Sequence, residues 1–267
     1  MLRVMRPTPS RSAAPRHGIA RVLSKRGLCS RTEAAARVHA GRVSVNGAVV
    51  RDPEFPVGEA DRVRVDGELL VALERHCIAL HKPRGLVTTA RDERGRGTVY
   101  DCLRDAGLPW LGPVGRLDQA SEGLLLLSND PAWAAAITDP QRGPDKTYHV
   151  QVDGVPGEAV LERWRSGVDA GGETLAAKSA CLLRSGGRTA WLEVVLDEGR
   201  NRHIRRMLQA EGFAVRRLVR VAIGAVLLGD LPKGAWRPLT DGEIASLAPA
   251  SAEPPPRKPR RARDRPG

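Results

Sequence analysis

Three features of this 267-residue sequence have residue types and spacing suited to chemistry. They are an aspartate at the edge of a leucine run, a tyrosine in an alternating segment, and a row of arginines on a short helix. The aspartate is Asp118 in GRLDQASEGLLLLSND, Gly115 to Asp130. Leu124 to Leu127 form a short apolar run bounded by polar residues, which reads as a buried strand; periodicity alone does not exclude a buried helix. A carboxylate is rarely buried without a partner. Burial disfavours the charged form of a carboxylate in general, and an adjacent guanidinium favours it. The arginines lie in NRHIRRMLQ. Ile204, Met207 and Leu208 fall on one helical face, with Arg202, Arg205, Arg206 and Gln209 opposite. Arg offers a planar, bidentate grip on phosphate or carboxylate. For the segment alone, an ordinary amphipathic surface helix is the simpler reading. Tyr148 sits in KTYHVQVDG, which alternates like a strand, and packing in a core is its plainer role.

The elements around these residues form an α+β pattern built on a largely antiparallel or mixed sheet flanked by helices. IALHKPRGLVTT, from Ile78, reads as strand, Pro-Gly turn, strand. ARDERGRGTVYDCL is a polar loop running into a short helix. DPAWAAAI is a helix with Asp130 as cap and Pro131 at its first position. PGEAVLERWRSGV is a helix, TAWLEVVLDEG a strand, and NRHIRRMLQAEG a helix ended by Gly212. RLVRVAIGAVLLGDL supplies more strand, and GAWRPLTDGEIASL closes a domain spanning 78–248.

Ahead of it, residues 18–67 organise differently. GIARVLSKRG is a short helix closed by Gly27. Ser30 and Glu33 carry capping-box spacing for a second helix ending at Gly41. Asn46-Gly47 and Asp66-Gly67 mark turns between alternating valines. Residues 68–77 read as a linker. Residues 1–17 and 249–267 are basic, Pro-rich arms with the composition of disordered segments.

The net charge is +12 and the pI about 10.5, which favours acidic partners, nucleic acid first. Arg-rich, Lys-poor composition also follows from high-GC coding. The four cysteines form no CxxC pair, so no zinc or redox motif is visible. No apolar stretch approaches the ~20 residues needed to cross a bilayer. The N-terminus lacks the apolar core of a secretory signal. A cytoplasmic protein is the simplest reading.

The segment LSKRGLCSRTEAAARVHAGRVSVNG resembles the S4 domain, a small RNA-binding module. That resemblance makes Lys25, Arg26, Arg31, Arg37 and Arg42 candidates for RNA contact. The segments HKPRGLVTT, VGRLDQASEGLLLLSND, KTYHVQV, EGRNRHIRRM, RLVRVAIG and GAWRPLT, in that order, resemble the RsuA-type pseudouridine synthases, which modify ribosomal RNA. The catalytic part looks closest to the large-subunit enzyme of the E type, although that enzyme typically lacks an S4 domain. The resemblance implies that Asp118 is the catalytic aspartate, Tyr148 the active-site tyrosine and Arg205 the basic residue paired with the aspartate. It makes Leu218 a pocket residue. His203 stands where the family usually has Gln.

These matches imply isomerisation of one uridine, in large-subunit RNA ahead of small-subunit RNA. The N-glycosidic bond breaks, the base rotates, and a carbon–carbon bond forms. No cofactor or metal is required. Asp118 acts ionised, as nucleophile at C1′ or as base on the sugar. The target is flipped out of its stack. Arg116, at the pocket, and Arg202 and Arg206 hold nearby phosphates. Glu122, the nearest second acid, has only a small claim to direct chemistry. The expected partners are ribosomal RNA or pre-ribosomal particles, with no membrane, and the protein is expected to be a monomer. The alternatives are a non-catalytic S4-type RNA-binding assembly factor and, more remotely, a nucleoside hydrolase.

Overall fold

A computed structural model describes residues 16–71 and 74–247. They form two compact units: one from residues up to 76 together with 107–112, the other from 77–106 and from 113 onward.

In the first unit, helices Ile19–Lys25 and Arg31–His39 pack on four short strands ordered Ala48–Val50, Val43–Val45, Val63–Val65, Glu68–Leu69. Ile19, Leu23, Ala34, Val38, Val43 and Val63 fill its core. Ser30 caps the second helix, its hydroxyl accepting from the Glu33 amide at 3.1 Å. Asn46-Gly47 (φ 53° and 89°) and Asp66-Gly67 (φ 53° and 86°) are hairpin turns with both central residues left-handed, the type I′ pattern. The second hairpin corrects the linker expected from residue 68. Its turn sends Glu68–Leu69 back along Val63–Val65. Leu70 is buried in the same core, and its amide donates to Val63 O at 2.9 Å. At the other end, His17–Gly18 pairs with Pro56–Val57, and Arg16 bridges Asp61 at 3.1 Å. Ordered structure thus begins before residue 18. The rest of the two basic arms lies outside the described residues.

In the second unit, seven strands run in the order Ser179–Gly186, Thr189–Leu196, Lys146–Asp153, Val215–Ile223, Glu122–Ser128, Cys77–Lys82, Trp236–Pro238. Each neighbouring pair is antiparallel except Val215–Ile223 with Glu122–Ser128, which is parallel. Glu122–Ser128 is buried along its whole length. A strand flanked on both edges and covered on both faces needs no polar alternation, which accounts for four consecutive leucines. Leu124 and Leu126 pack with Trp133 and Ile137 of helix Pro131–Thr138. Asp130 caps that helix, accepting from the Ala132 and Trp133 amides at 3.0 Å each. A second core lies around Trp164, Leu192, Val194 and Met207.

One expectation changes, and one strand had no counterpart in the sequence reading. The second strand of HKPRGLVTT shrinks to one parallel bridge, Val87 to Thr98, because residues 83–88 are drawn into a loop that binds another loop. Strand Ser179–Gly186 gave no alternating signal, since it lies at the sheet edge and nearly all its residues are exposed.

The parallel junction is short: Val219 faces Glu122 and Arg220 faces Gly123. Gly123 has φ 109°, and a Cβ there would lie 2.3 Å from the Arg220 carbonyl oxygen. Only glycine fits. This close approach sets the strand bearing Leu218 and Arg220 against the strand that follows Asp118.

Candidate active site

Asp118 lies in the loop between Val114 and Glu122. Each backbone carbonyl from Leu117 to Ser121 has a donor. Thr88 Oγ1 donates to Leu117 O at 2.8 Å. The Ser121 amide donates to Asp118 O at 3.0 Å, and the Gly85 amide to Gln119 O at 2.7 Å. Arg205 Nη2 donates to Ala120 O at 3.0 Å, and Lys82 Nζ to Ser121 O at 2.7 Å. Gln119 returns a bond from Nε2 to Gly85 O at 3.0 Å. The segment HKPRGLVTT is therefore a clamp: Lys82, Gly85 and Thr88 each hold the aspartate loop. The Asp118 carboxylate itself has no hydrogen bond or ion pair among the described residues, and it lines an open cavity of about 570 Å³. That volume suits a small organic group such as a nucleobase with its sugar.

The floor of the cavity is one face of the sheet. Lys146 and Tyr148 come from one strand, Leu196 from its neighbour on one side, and Leu218, Arg220 and Ile223 from its neighbour on the other. Tyr148 is half-buried and packs against the core around Trp164, and its hydroxyl bonds to no described residue. Leu218 is buried beside it. Arg116 and Arg202 line the rim, both exposed. Arg202 caps helix His203–Ala210 in a left-handed conformation, φ 50°, an uncommon state for a residue other than glycine.

The cations near Asp118 differ from the expected simple pair. Arg205 does not bridge the Asp118 carboxylate. Its guanidinium spans Ala120 O and Val215 O, the latter at 3.3 Å, tying the aspartate loop to the neighbouring strand. Burial and the adjacent Arg202 weigh against its charge, and Asp118 supports it. Lys82 is the second cation, and the charge spacing in the sequence gave it no prominence. It is fully buried, its ammonium also donates to Pro83 O at 3.0 Å, and burial brings its pKa down to about 8 against the support of Asp118 and Glu122. Asp118 thus sits in the field of two fixed cations without being consumed by either.

Other candidates fall elsewhere. Arg206 is committed to Glu173 at 2.7 Å and Ala170 O at 3.0 Å, and it does not line the cavity. The helical row of guanidiniums is thus divided between loop anchoring and a local ion pair. Glu122 is buried and held by Arg217 and Lys233, each at 2.7 Å, so it is a structural acid. Burial raises its pKa, but the two cations outweigh burial and hold it low. His203 is buried at the cavity wall, with Nδ1 3.5 Å from Glu198 and its pKa lowered by burial.

In the first unit, Arg31 meets Glu54 at 3.5 Å, Arg37 meets Glu33 at 2.8 Å, and Arg42 grips Asp66 at 2.7 Å. Arg26 is half-buried and donates to Leu70 O at 3.0 Å, a link within the fold. Lys25 is exposed in the last turn of its helix, with no ion-pair partner among the described residues.

Comparisons with known proteins bear on the family. The profile of the RNA pseudouridylate synthases matches residues 76–210, and that of the S4 domain matches residues 18–63. An RNA pseudouridine synthase of Aquifex aeolicus is 37% identical over 86% of this chain and 92% of its own length. The ribosomal large subunit pseudouridine synthase B of Bacillus subtilis is 35% identical over 85% of this chain and 93% of its own. The crystal structure of a pseudouridylate synthase superimposes with a TM-score of 0.60 and 30% identity, covering 88% of this chain and all of that one.

Proposed function

This chain belongs to the RNA pseudouridylate synthase family, and we propose that it isomerises a single uridine of ribosomal RNA, bound in the cavity beside Asp118. The name of the Bacillus subtilis relative favours large-subunit RNA as the substrate. The observation that carries the catalytic reading is the Asp118 loop: its carbonyls are bound one after another while its carboxylate, bound by none of the described residues, lines the cavity. Such a group is held in place before substrate arrives, which lowers the cost of orienting it during reaction.

In this reading the uridine leaves its stack and enters the cavity. Tyr148 and Leu218 bracket the base. Asp118 engages the ribose, as nucleophile at C1′ or as base on the sugar. Either course breaks the C1′–N1 bond and leaves its electron pair on the uracil ring. The ring turns and C5 bonds to C1′ as the bond from Asp118 to C1′ breaks or, on the other route, as Asp118 returns the sugar proton; the C5 proton is then lost and N1 gains one. Reactant and product have the same atoms. Tyr148, with its hydroxyl unengaged, is placed to carry the C5 proton. Arg116 and Arg202 meet phosphates on either side of the extruded nucleotide, and the first unit's exposed basic residues add further contacts to RNA.

The test is a map of pseudouridines in both ribosomal RNAs from a deletion strain and its parent. The expected result is one site lost from large-subunit RNA and restored by the wild-type gene. Unchanged maps in both RNAs would overturn the ribosomal assignment. A non-catalytic assembly role would also leave both maps unchanged, and the free carboxylate in a formed cavity weighs against it.

A further inference from the structure

Beside Tyr148, on the same strand and the next, the cavity is lined by two cations that the mechanism above does not use. Arg220 lies directly across from Tyr148 in the strand register, and Lys146 is two residues before Tyr148 on the same strand. Arg220 is only 5% exposed. Its Nε donates to Leu124 O at 2.7 Å, where the short parallel junction ends, whereas its Nη2 has no hydrogen-bond partner among the described residues. Lys146 is half-buried, and both side chains line the cavity. Filling the gap beside the junction explains the Nε bond. It does not explain a guanidinium left partly unsatisfied next to a second cation. A buried polar group without a partner is costly and rare. Burial and the neighbouring Arg220 lower the Lys146 pKa against the support of Asp145 and Asp197, so an electron-rich group in the cavity would relieve the repulsion between the two cations.

We propose that Arg220 and Lys146 form a cationic floor that receives the carbonyl oxygens of the flipped uracil and stabilises the ring as it departs from C1′. This rests on the reading of Asp118 and the cavity given above. When the C1′–N1 bond breaks, its electron pair passes to N1 and spreads onto the ring's carbonyl oxygens. Donors fixed where that charge develops act on the transition state more than on the ground state. The proposal is the same whether Asp118 attacks C1′ or removes a sugar proton, because both routes expel the same anion. It also gives a reason for base selection. Two donors suit the carbonyl oxygens of uracil, whereas cytosine presents an amino group in place of O4. A site built to donate rejects a donor strongly.

The test uses the full-length protein and a transcript carrying the mapped uridine, or 5-fluorouridine at that position. Disappearance of the target nucleoside is followed in single turnovers. Fluorine withdraws electrons and makes the ring a better leaving group, so it should partly replace the floor. R220K and K146M should each slow reaction of uridine about 100-fold, the loss typical of one developing-charge donor. They should slow 5-fluorouridine by at least about tenfold less than that, with RNA affinity nearly unchanged. Equal losses on both substrates, or no loss, would overturn the proposal. K146M leaves the Arg220–Leu124 bond in place, so it decides the matter alone if R220K does not fold. Failure of the wild type to convert uridine would overturn the parent reading and this one together.

Discussion

Arg31, Arg37 and Arg42 of the first unit and Lys82, Arg205 and Arg220 of the second are held in opposite ways. In the first, Arg31, Arg37 and Arg42 lie at the surface in ion pairs with Glu54, Glu33 and Asp66. In the second, Lys82, Arg205 and Arg220 are drawn inward and donate to backbone carbonyls. An exposed pair contributes about 0–1 kcal/mol, so exchanging its acid for an RNA phosphate costs little. A buried cation on a carbonyl fixes the course of a loop and has no such freedom. The first arrangement suits affinity that tolerates variation, and the second suits geometry that does not.

Substitutions can break or sharpen this contrast. The largest effect on stability should come from Glu122, the buried acid between Arg217 and Lys233. E122Q leaves two half-exposed cations behind, so its loss should be that of buried hydrogen bonds to a charged group, about 1.5–3 kcal/mol in urea unfolding at neutral pH. The two cations hold the Glu122 carboxyl below its ordinary range. Its contribution is therefore complete above the unfolded value of ~4.3 and lost as pH falls through the lower folded value, and the gap between wild type and E122Q should close there.

Arg205 comes next. R205K keeps the charge but cannot span Ala120 O and Val215 O. Its turnover should fall about 10²–10³-fold, a loss comparable to that of an oriented donor, while RNA binding stays within a few fold. A loss confined to binding would place Arg205 with the exposed residues instead.

K82M should show itself chiefly in pH dependence. With a folded pKa of about 8 against an unfolded value of ~10.4, Lys82 binds fewer protons in the folded state between those values. That difference makes wild-type stability rise with pH across the window. Activity should run the other way, falling above about pH 8 as the ammonium beside Asp118 is neutralised. K82M should lack both slopes when stability and single-turnover rates are measured from pH 6 to 10.

The smallest effects belong to the first unit. R31A, R37A and R42A should each weaken RNA binding by about tenfold or less, and each should reduce the salt slope of affinity by about one. Turnover at saturating RNA should be unchanged.

Much of this was legible in the residues. The leucine run, the Asp130 cap, the two Asx-Gly hairpins and the apolar face of helix His203–Ala210 are local signals, and each forms as its pattern implies. Asp118, Tyr148 and Leu218 do share one cavity. What stayed hidden depends on chain segments far apart in sequence. That Lys82 reaches Ser121 O, or Arg205 reaches Ala120 O, is a backbone contact across 39 or 85 residues, and no side-chain pattern encodes it. The same holds for Arg206, whose partner Glu173 lies in a loop outside its helix. Gly123 was visible as a letter in a motif, but its necessity appears only when Arg220 is set against it.

The central claim is that one carboxylate, without a partner among the described residues, performs the chemistry while other residues hold the RNA. D118N, which keeps size and removes charge, tests it in a paired measurement of RNA affinity and single-turnover pseudouridine formation on the mapped transcript. Affinity within a few fold of wild type and no detectable product is the predicted result. Product formed at a substantial fraction of the wild-type rate would contradict the account.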